Sequence, residues 1–305
     1  MTAAHRGLPA QPRPPQGPRI LRRPVLRASA VVPFLRGRER TSMMIGLALF
    51  GIVLLSAVFA PLISTYSPTA LNPVAALQAP GAAHFFGTDQ FGRDIFARTV
   101  YAARIDLIIA FSLVSTAFVI GTALGVVAGW AGGVLDSILM RIVDVALAFP
   151  FLVLVISIVG LRGPGLFSLY VAVSVVSWVF YARLVRSEVR QLRHAEYMLA
   201  AKASDYSTLR VLGRHLLPNV IIQPLVYASS DLVYALLLGA SVSYLGLGVQ
   251  PPTPEWGQMV QDGSTFIGAQ WWLSFFPGAA IVVTAVAFSL IGDGLAALAR
   301  EGSAR

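Results

Sequence analysis

Three acidic residues lie within or near long apolar segments, where an ionisable side chain could contact a transported solute or ion. They are Asp144, Asp231 and Asp293. An ionisable group is costly in hydrocarbon, so it faces a bundle interior, water or a partner. Asp231 lies deepest, with Ser230 and Tyr234 near it, and these three are the candidates to line a translocation path. A buried acid that is hydrogen-bonded between helices explains Asp231 equally well.

The other two acids have simpler interpretations. Asp144 lies one helical turn from Arg141, so the two are expected to form an ion pair. Asp293 lies in the sequence IGDGL near the end of the last apolar segment. There it is expected to cap a helix or to contact a loop.

A polar stretch, HFFGTDQFGRDIF, holds another set of residues that could do chemistry. His84, Asp89 and Asp94 are possible metal ligands, but their spacing is not typical of a metal site. A folded loop in which the aspartates pair with Arg93 and Arg98 is the preferred interpretation.

Chemistry that depends on nucleotide phosphates or thiols has no counterpart in the sequence. The chain has no G-x-x-x-x-G-K-S/T motif, and its only lysine is Lys202, so it lacks the loop that cradles nucleotide phosphates. It also has no cysteine, which excludes disulfides, thiolate metal sites and a cysteine nucleophile. The sequence therefore predicts a chain that is not an enzyme and binds no cofactor itself.

Composition indicates that membrane helices position these groups. The chain is 56% hydrophobic and 12% charged, whereas soluble domains are about 25% charged. Long apolar runs recur, as is typical of helices that cross about 30 Å of hydrocarbon. The sequence predicts an all-α membrane protein with six transmembrane helices, at residues 43–63, 107–130, 138–159, 166–184, 220–245 and 272–298.

Glycines and prolines mark particular places in these spans. Gly121, Gly125 and Gly129 recur at every fourth residue and would let another helix approach closely. That helix belongs either to the same bundle or to another subunit. Pro150 interrupts the third span and Pro224 lies in the first turns of the fifth, where kinks are expected.

The basic residues predict that both termini are cytoplasmic. In that orientation 19 of the 23 Lys and Arg residues lie inside, as the positive-inside rule requires. The net charge of +9 therefore reflects topology, and nucleic acid is not an expected partner. The predicted organisation is a disordered Arg- and Pro-rich tail or, alternatively, a transit peptide (1–42), a first helix with an external segment (43–106), a five-helix core (107–298) and a cytoplasmic C-terminus (299–305).

Residues 196–219 form the longest run inside the apolar part of the chain that cannot lie in lipid. Four residues, of which three are small, share one helix face: Tyr197, Ala200, Ala201 and Ser204. Asp205 is expected to cap a second helix from about 206 to 216, which Pro218 would end. Such a charged hairpin either docks a protein from the water phase or lies on the bilayer surface, in contact with lipid.

Several motifs carry a family resemblance that covers residues 43–298. EYMLAAKA followed by RHLLPN resembles the EAA loop of the membrane subunits of bacterial ABC importers. Five other motifs, in the expected order, resemble the "C"-type permease of the dipeptide/oligopeptide/nickel branch: GTDQFGRD, MRIVDVALAFP, YARLVRSEV, SYLGLGVQPPTPEWG and FFPGAAIVV.

The resemblance implies a type I ABC importer permease fold with a cytoplasmic EAA coupling hairpin, in the bacterial inner membrane. It implies four partners: a "B"-type permease, two ATP-binding subunits that hold ATP and Mg, and an extracytoplasmic substrate-binding protein. The residues that match the coupling motif are Glu196, Ala200, Ala201, Arg214, His215, Pro218 and Asn219. Asp205 stands where the family usually has glycine, which is easier to place in a left-handed joint.

The expected function is ATP-driven import of dipeptides or oligopeptides, with this chain forming half of the translocation path. A permease for nickel or another small solute is the nearest alternative. An ATP-independent transporter or channel would use the membrane acids to carry ions. A relative that no longer transports is the third alternative. It is considered because Asp205 replaces the glycine that the family usually has.

Overall fold

The computed structural model describes residues 32–196, 198 and 206–303, with only the backbone given for residues 32–36, 38 and 301–303. Contacts divide the chain into two units, residues 1–38 and 39–305. The described part is helical and contains no β-strand beyond an isolated bridge between Thr88 and Asp94.

The described helices follow one another along the chain with two turns of other helical types. They are α1 (Val32–Val58), α2 (Ala60–Ile63), α3 (Ile95–Ala131), α4 (Gly133–Leu147), α5 (Phe151–Arg162), α6 (Leu166–Leu192), α7 (Thr208–Val211), α8 (Leu217–Val220), α9 (Ile222–Tyr244), α10 (Trp256–Ser264) and α11 (Trp272–Ser303), with a 3-10 turn at Pro73–Ala75 and a π-helical turn at Leu212–Leu216.

Five of the described helices are long and apolar enough to cross a membrane: α1 from Glu39 onward, α3, α6, α9 and α11. Helices α4 and α5 meet this test only as a pair, and they are bent by 86° at their junction. If the pair is one broken span, the total is the six that the sequence predicts. The chain is therefore a multi-pass all-α membrane protein.

The break between α4 and α5 lies at Pro150, as predicted, but it is a full interruption instead of a kink. Helix α4 ends at Leu147, and Pro150 precedes α5 with an extended ψ of 122°. Proline lacks the N–H that would continue the ladder of α4, yet it is well suited to the start of a new helix. Pro224 lies in the first turn of α9, as expected.

The starts of two helices differ most from the predicted boundaries, and α6 ends at Leu192 instead of residue 184. Helix α3 begins at Ile95 instead of residue 107, because the Asp94 side chain accepts a hydrogen bond from Ala97 N at 2.6 Å and caps the helix. Helix α1 begins at Val32 instead of residue 43. Pro33 belongs to the tail that was predicted to be disordered, but it lies at the second position of α1, where proline is tolerated.

The three regularly spaced glycines of α3 pack against α6. A Cβ on Gly121 would lie 2.4 Å from Tyr181 Cβ, and one on Gly125 or Gly129 would lie 2.7 Å from the Cβ of Val185 or Val189. These distances are shorter than any real Cβ contact, so only glycine permits this approach. Of the two alternatives, the structure therefore supports packing inside the bundle.

The loops at 64–94 and 245–271 lie together and define the "loop end" of the bundle. Arg98 Nη1 donates to Pro68 O at 3.0 Å and lies 3.4 Å from Pro252 O. Trp256 is buried, and its indole donates to Thr99 O at 2.9 Å. These contacts join both loops to the first turns of α3.

Ion pairs organise the stretch that could have held a metal. Arg93 Nε lies 2.5 Å from Asp89 Oδ2, Arg98 Nε lies 3.8 Å from the same oxygen, and His84 Nδ1 lies 2.7 Å from Asp94. The prediction that aspartates of this loop pair with Arg93 and Arg98 is confirmed for Asp89, whereas Asp94 pairs with His84. No cluster of three potential metal ligands occurs among the described residues.

A buried acid caps α10 at the loop end. The Glu255 carboxylate accepts from Gly257 N at 2.9 Å and from Gln258 N at 2.7 Å, and its side chain is fully buried. It is hydrogen-bonded to the buried carboxyl of Asp106 on α3, which also accepts from Trp256 N at 3.1 Å. Burial raises the pKa of Glu255 because desolvation disfavours its charged form.

Because the pKa of Glu255 is raised in the folded protein, we expect the protein to be more stable at acidic pH than at higher pH. The contribution of Glu255 is fully present below its unfolded-state pKa of about 4.3 and is lost as pH rises through the higher folded-state pKa. The melting temperature of the purified protein should therefore fall with rising pH more steeply than that of Glu255→Gln. The matched control Glu39→Gln changes a partly exposed acid of α1, outside the loop end and 3.6 Å from Arg300, and should keep the wild-type slope. Equal slopes for wild type and Glu255→Gln would contradict the prediction.

Candidate functional site

One face of α9 carries a stripe of polar and aromatic residues in the middle of a spanning helix. Tyr227, Ser230, Asp231 and Tyr234 follow one another at helical spacing and so share a face. Tyr227 is 36% exposed and Tyr234 49% exposed. Because lipid tails cannot hydrogen-bond to such groups, this face is suited to water, a solute or another subunit.

The stripe borders an open cavity of about 400 Å³. All three residues that the sequence proposed as path-lining are in its wall. The wall is formed by α3, α5, α6 and α9 through Leu113, Val114, Phe151, Val173, Ser177, Phe180, Tyr227, Ser230, Asp231, Tyr234, Ala235 and Leu238.

Asp231 is held by a tyrosine that the sequence analysis did not consider. Tyr181 of α6 is fully buried, and its hydroxyl donates to Asp231 Oδ2 at 2.9 Å. Its ring meets that of Tyr227 edge-on, with 5.0 Å between the centroids. Asp231 is thus both hydrogen-bonded between helices and part of a cavity wall, so the two interpretations of the sequence describe one arrangement. Its role in a translocation path stays a prediction.

Sequence reasoning also missed the contribution of α6 to this site. Ser177 and Tyr181 are four residues apart in a largely apolar span, and this spacing puts them on one helix face. That polar pair is the signal that could have indicated them. Phe151 and Phe180 carry no such signal, because single aromatic residues are common in membrane helices.

The interpretations of the other two membrane acids need correction. Asp144 pairs with Arg183 of α6 at 2.5 Å instead of with Arg141, because α4 packs against α6. Asp293 is exposed in the interior of α11 and caps no helix. Neither residue lines the cavity.

The charged hairpin is anchored to α6 by a set of buried apolar side chains that we call the hairpin seat. All are at most 1% exposed. The hairpin seat consists of Val185, Val189, Met198, Val211, Leu216 and Val220. This anchoring fixes the described parts of the hairpin to the helix that also supplies Tyr181.

The hairpin residues that match the coupling motif are only partly described. Glu196, Arg214, Pro218 and Asn219 are exposed, whereas His215 is partly buried and stacks on Tyr206 with 6.1 Å between the ring centroids. Ala200 and Ala201 lie outside the described residues, and so do Asp205 and the other two members of the predicted small face, Tyr197 and Ser204.

The prediction that Pro218 ends the second helix of the hairpin is wrong. The chain passes from the π-helical turn Leu212–Leu216 directly into α8, and Leu217 keeps helical angles of −57° and −44°. Pro218 is then the second residue of a new helical segment, where its missing N–H has no partner to lose. The Asn219 side chain donates to His215 O at 2.7 Å next to this junction.

Charge pairs hold α4 to α6. Arg186 of α6 donates from Nη2 to Asp136 Oδ2 at 2.7 Å, and its Nε contacts the other oxygen. Such a two-point pair fixes geometry better than a single contact. Helix α6 therefore contacts α3, α4, the hairpin seat and the cavity.

The sequence is similar to known membrane components of transport systems. Residues 121–301 match a family described as binding-protein-dependent transport system inner membrane component. Residues 36–80 match one described as the N-terminal TM domain of oligopeptide transport permease C.

Curated relatives cover most of the chain. A dipeptide transport system permease protein of Alkalihalophilus pseudofirmus is 43% identical over 251 residues, which are 82% of this chain and 83% of that protein. A probable D,D-dipeptide transport system permease protein of Escherichia coli is 40% identical, covering 80% and 82%. An oligopeptide transport system permease protein of Bacillus subtilis is 38% identical, covering 86% of both chains.

Proposed function

Because the chain belongs to the family of inner membrane components of binding-protein-dependent transport systems, we propose that it is the C-type permease subunit of an ATP-driven peptide importer. The relatives confirm the family resemblance that the motifs indicated. The observation that carries the proposal is the polar stripe of α9, which borders an open cavity in a bundle related to dipeptide and oligopeptide permeases.

In this proposal the cavity is half of a translocation path. A homologous B-type permease covers the open side and supplies the other half. An extracytoplasmic binding protein delivers the peptide at the loop end. This division of roles explains why tyrosine, serine and aspartate lie on an exposed face of a spanning helix, where lipid contact would be costly.

The hairpin is then the contact with one of two separate ATPase subunits, which bind ATP and Mg. Both termini and the hairpin lie in the cytoplasm, and the chain resides in the bacterial cytoplasmic membrane. The hairpin seat transmits movement of the hairpin to α6, because its apolar side chains are packed without exposure to water. The chain itself catalyses no reaction.

Reconstitution tests this proposal. The chain, co-purified with the proteins of its neighbouring genes, should take up labelled Ala-Phe into proteoliposomes only with ATP. Removal of residues 196–217 should abolish uptake. Uptake without ATP, uptake that survives the deletion, or ATP-driven uptake of Ni²⁺ but of no peptide would each overturn the proposal.

A charge reversal on the hairpin separates coupling from general damage. Arg214→Glu changes an exposed hairpin residue, and Arg162→Glu makes the same change at an exposed position at the end of α5. If the hairpin contacts an ATPase, Arg214→Glu should reduce peptide uptake about tenfold, since charged contacts contribute about 1.5–3 kcal/mol. Arg162→Glu should leave uptake near the wild-type value. Equal effects of the two variants would argue against a docking role for Arg214.

A further inference from the structure

The cavity wall has one sign of charge. Asp231 is the only acidic or basic side chain among the described residues that line it. The remaining wall is aliphatic, aromatic or hydroxyl-bearing. A solute that enters therefore meets a carboxyl group and no lysine, arginine or histidine in the described wall.

Hydrogen-bonding capacity in this wall is only partly used. Among the described residues, the Asp231 carboxylate receives one hydrogen bond, from Tyr181 to Oδ2, which leaves Oδ1 for a ligand. Ser177 Oγ is buried and has no hydrogen-bond partner in the described part of the chain, although Ser177 lines the same cavity. Buried polar groups normally find partners, so this hydroxyl is available to a ligand in the cavity.

Aromatic faces surround the carboxylate. Tyr227 and Tyr234 flank Asp231 on α9, and the Phe151 ring lies 5.7 Å from that of Tyr234. Aromatic faces attract cations, and a carboxylate within a membrane bundle is costly unless a cation or a proton accompanies it. The Asp231 carboxylate and the aromatic rings thus both favour a cationic ligand.

We propose that this cavity binds the α-ammonium group of a peptide in transit, with Asp231 as its counter-ion, Ser177 as a further hydrogen-bonding partner and tyrosine rings as its walls. The proposal rests on the proposed function and names the chemical group that is recognised at the same site. An ammonium group fits better than a metal ion, because metal sites use several ligands and a single carboxyl group is available in the described wall.

A binding experiment without the binding protein isolates this site. The detergent-solubilised complex of both permeases and the ATPases is mixed with Ala-Phe or N-acetyl-Ala-Phe, and saturation-transfer NMR detects weak contact. The wild type should give at least about tenfold stronger saturation transfer to Ala-Phe than to N-acetyl-Ala-Phe, since a hydrogen bond between charged groups changes affinity by about this factor. Asp231→Asn should remove the preference for the free amine.

Two variants control this experiment. Asp144→Asn makes the same chemical change at an exposed acid outside the cavity and should keep the preference. Tyr181→Phe removes the hydroxyl donor but keeps the carboxylate, and should also keep it. Equal transfer from both peptides in the wild type, no transfer from Ala-Phe, or an unchanged preference in Asp231→Asn would overturn the proposal.

Transport separates failure of this inference from failure of the proposed function. Asp231→Asn preserves the size of the side chain and an acceptor for Tyr181, so the complex should still assemble. Uptake of Ala-Phe by the complete system should fall about tenfold. Wild-type uptake in the variant would overturn the ammonium site alone, whereas absence of uptake in the wild-type system would overturn the proposed function as well.

Discussion

Replacing Gly121 with alanine is expected to destabilise the protein strongly, although the change adds one methyl group. The new Cβ would lie 2.4 Å from Tyr181 Cβ and 2.5 Å from Trp178 O. One of these is a backbone atom, so α3 and α6 would have to move apart. Overpacking of this kind costs about 1–3 kcal/mol. Thermal unfolding of the purified protein, followed by tryptophan fluorescence, measures the loss.

Gly121→Ala should also affect the cavity that Asp231 lines. Tyr181, which Gly121 contacts, donates the hydrogen bond to Asp231. Displacement of α6 should therefore reduce peptide uptake even at temperatures where the variant stays folded.

Gly51→Ala is the matched control, because it makes the same substitution in a spanning helix with no atom within 4 Å of the new Cβ. Alanine favours a helix over glycine by about 1 kcal/mol, so the melting temperature should stay the same or rise. A similar decrease in both variants would show that the contact between α3 and α6 is not the cause.

Replacing Leu216 with alanine is expected to uncouple ATP hydrolysis from peptide uptake. Leu216 is fully buried in the hairpin seat, and truncation of a buried leucine costs about 2–5 kcal/mol. The loss would loosen the anchoring of the hairpin on α6, while contacts elsewhere in the bundle stay intact. The number of peptides taken up per ATP hydrolysed should fall about tenfold, since even the lower end of this cost exceeds 1.4 kcal/mol.

Local loosening has a second readout. Trypsin should cleave after Arg210, which is exposed on the hairpin, faster in Leu216→Ala than in the wild type. Leu217→Ala, the adjacent substitution at a residue that is 36% exposed, should change neither cleavage nor coupling. Unchanged cleavage in Leu216→Ala, or loss of coupling in both variants, would contradict a role for the hairpin seat.

That the spans are helices could be predicted from the sequence, because long apolar runs have few alternatives in a membrane. Their places along the chain could also be predicted. The ends of these helices could not. Helix α3 starts at a cap that Asp94 provides, and one aspartate in a polar stretch looks like any other. The pair α4 and α5 reads as one span with a proline, since hydropathy records length and carries no information about an 86° bend.

Part of the site could be predicted because polar residues are conspicuous in apolar runs. Asp231 stands out as an acid in an apolar run, and Ser230 and Tyr234 follow from helical spacing. Tyr181 could not be assigned as its partner, because the hydrogen bond joins residues 50 positions apart. Likewise, the pairing of Asp144 with Arg183 instead of Arg141 depends on how α4 crosses α6, which local spacing does not encode.

The hydrogen bond between Tyr181 and Asp231 also bears on how the chain is synthesised and inserted. Aspartate at the centre of an isolated helix opposes membrane insertion by about 2.5–3.5 kcal/mol, and Asp231 lies near the middle of α9. Helix α6 precedes α9 in the chain, so Tyr181 has already been translated when α9 emerges from the ribosome. Helix α9 can therefore enter the bilayer beside a helix that already carries a donor for its acid. The order of the two helices along the gene thus makes the partner available before the residue that needs it.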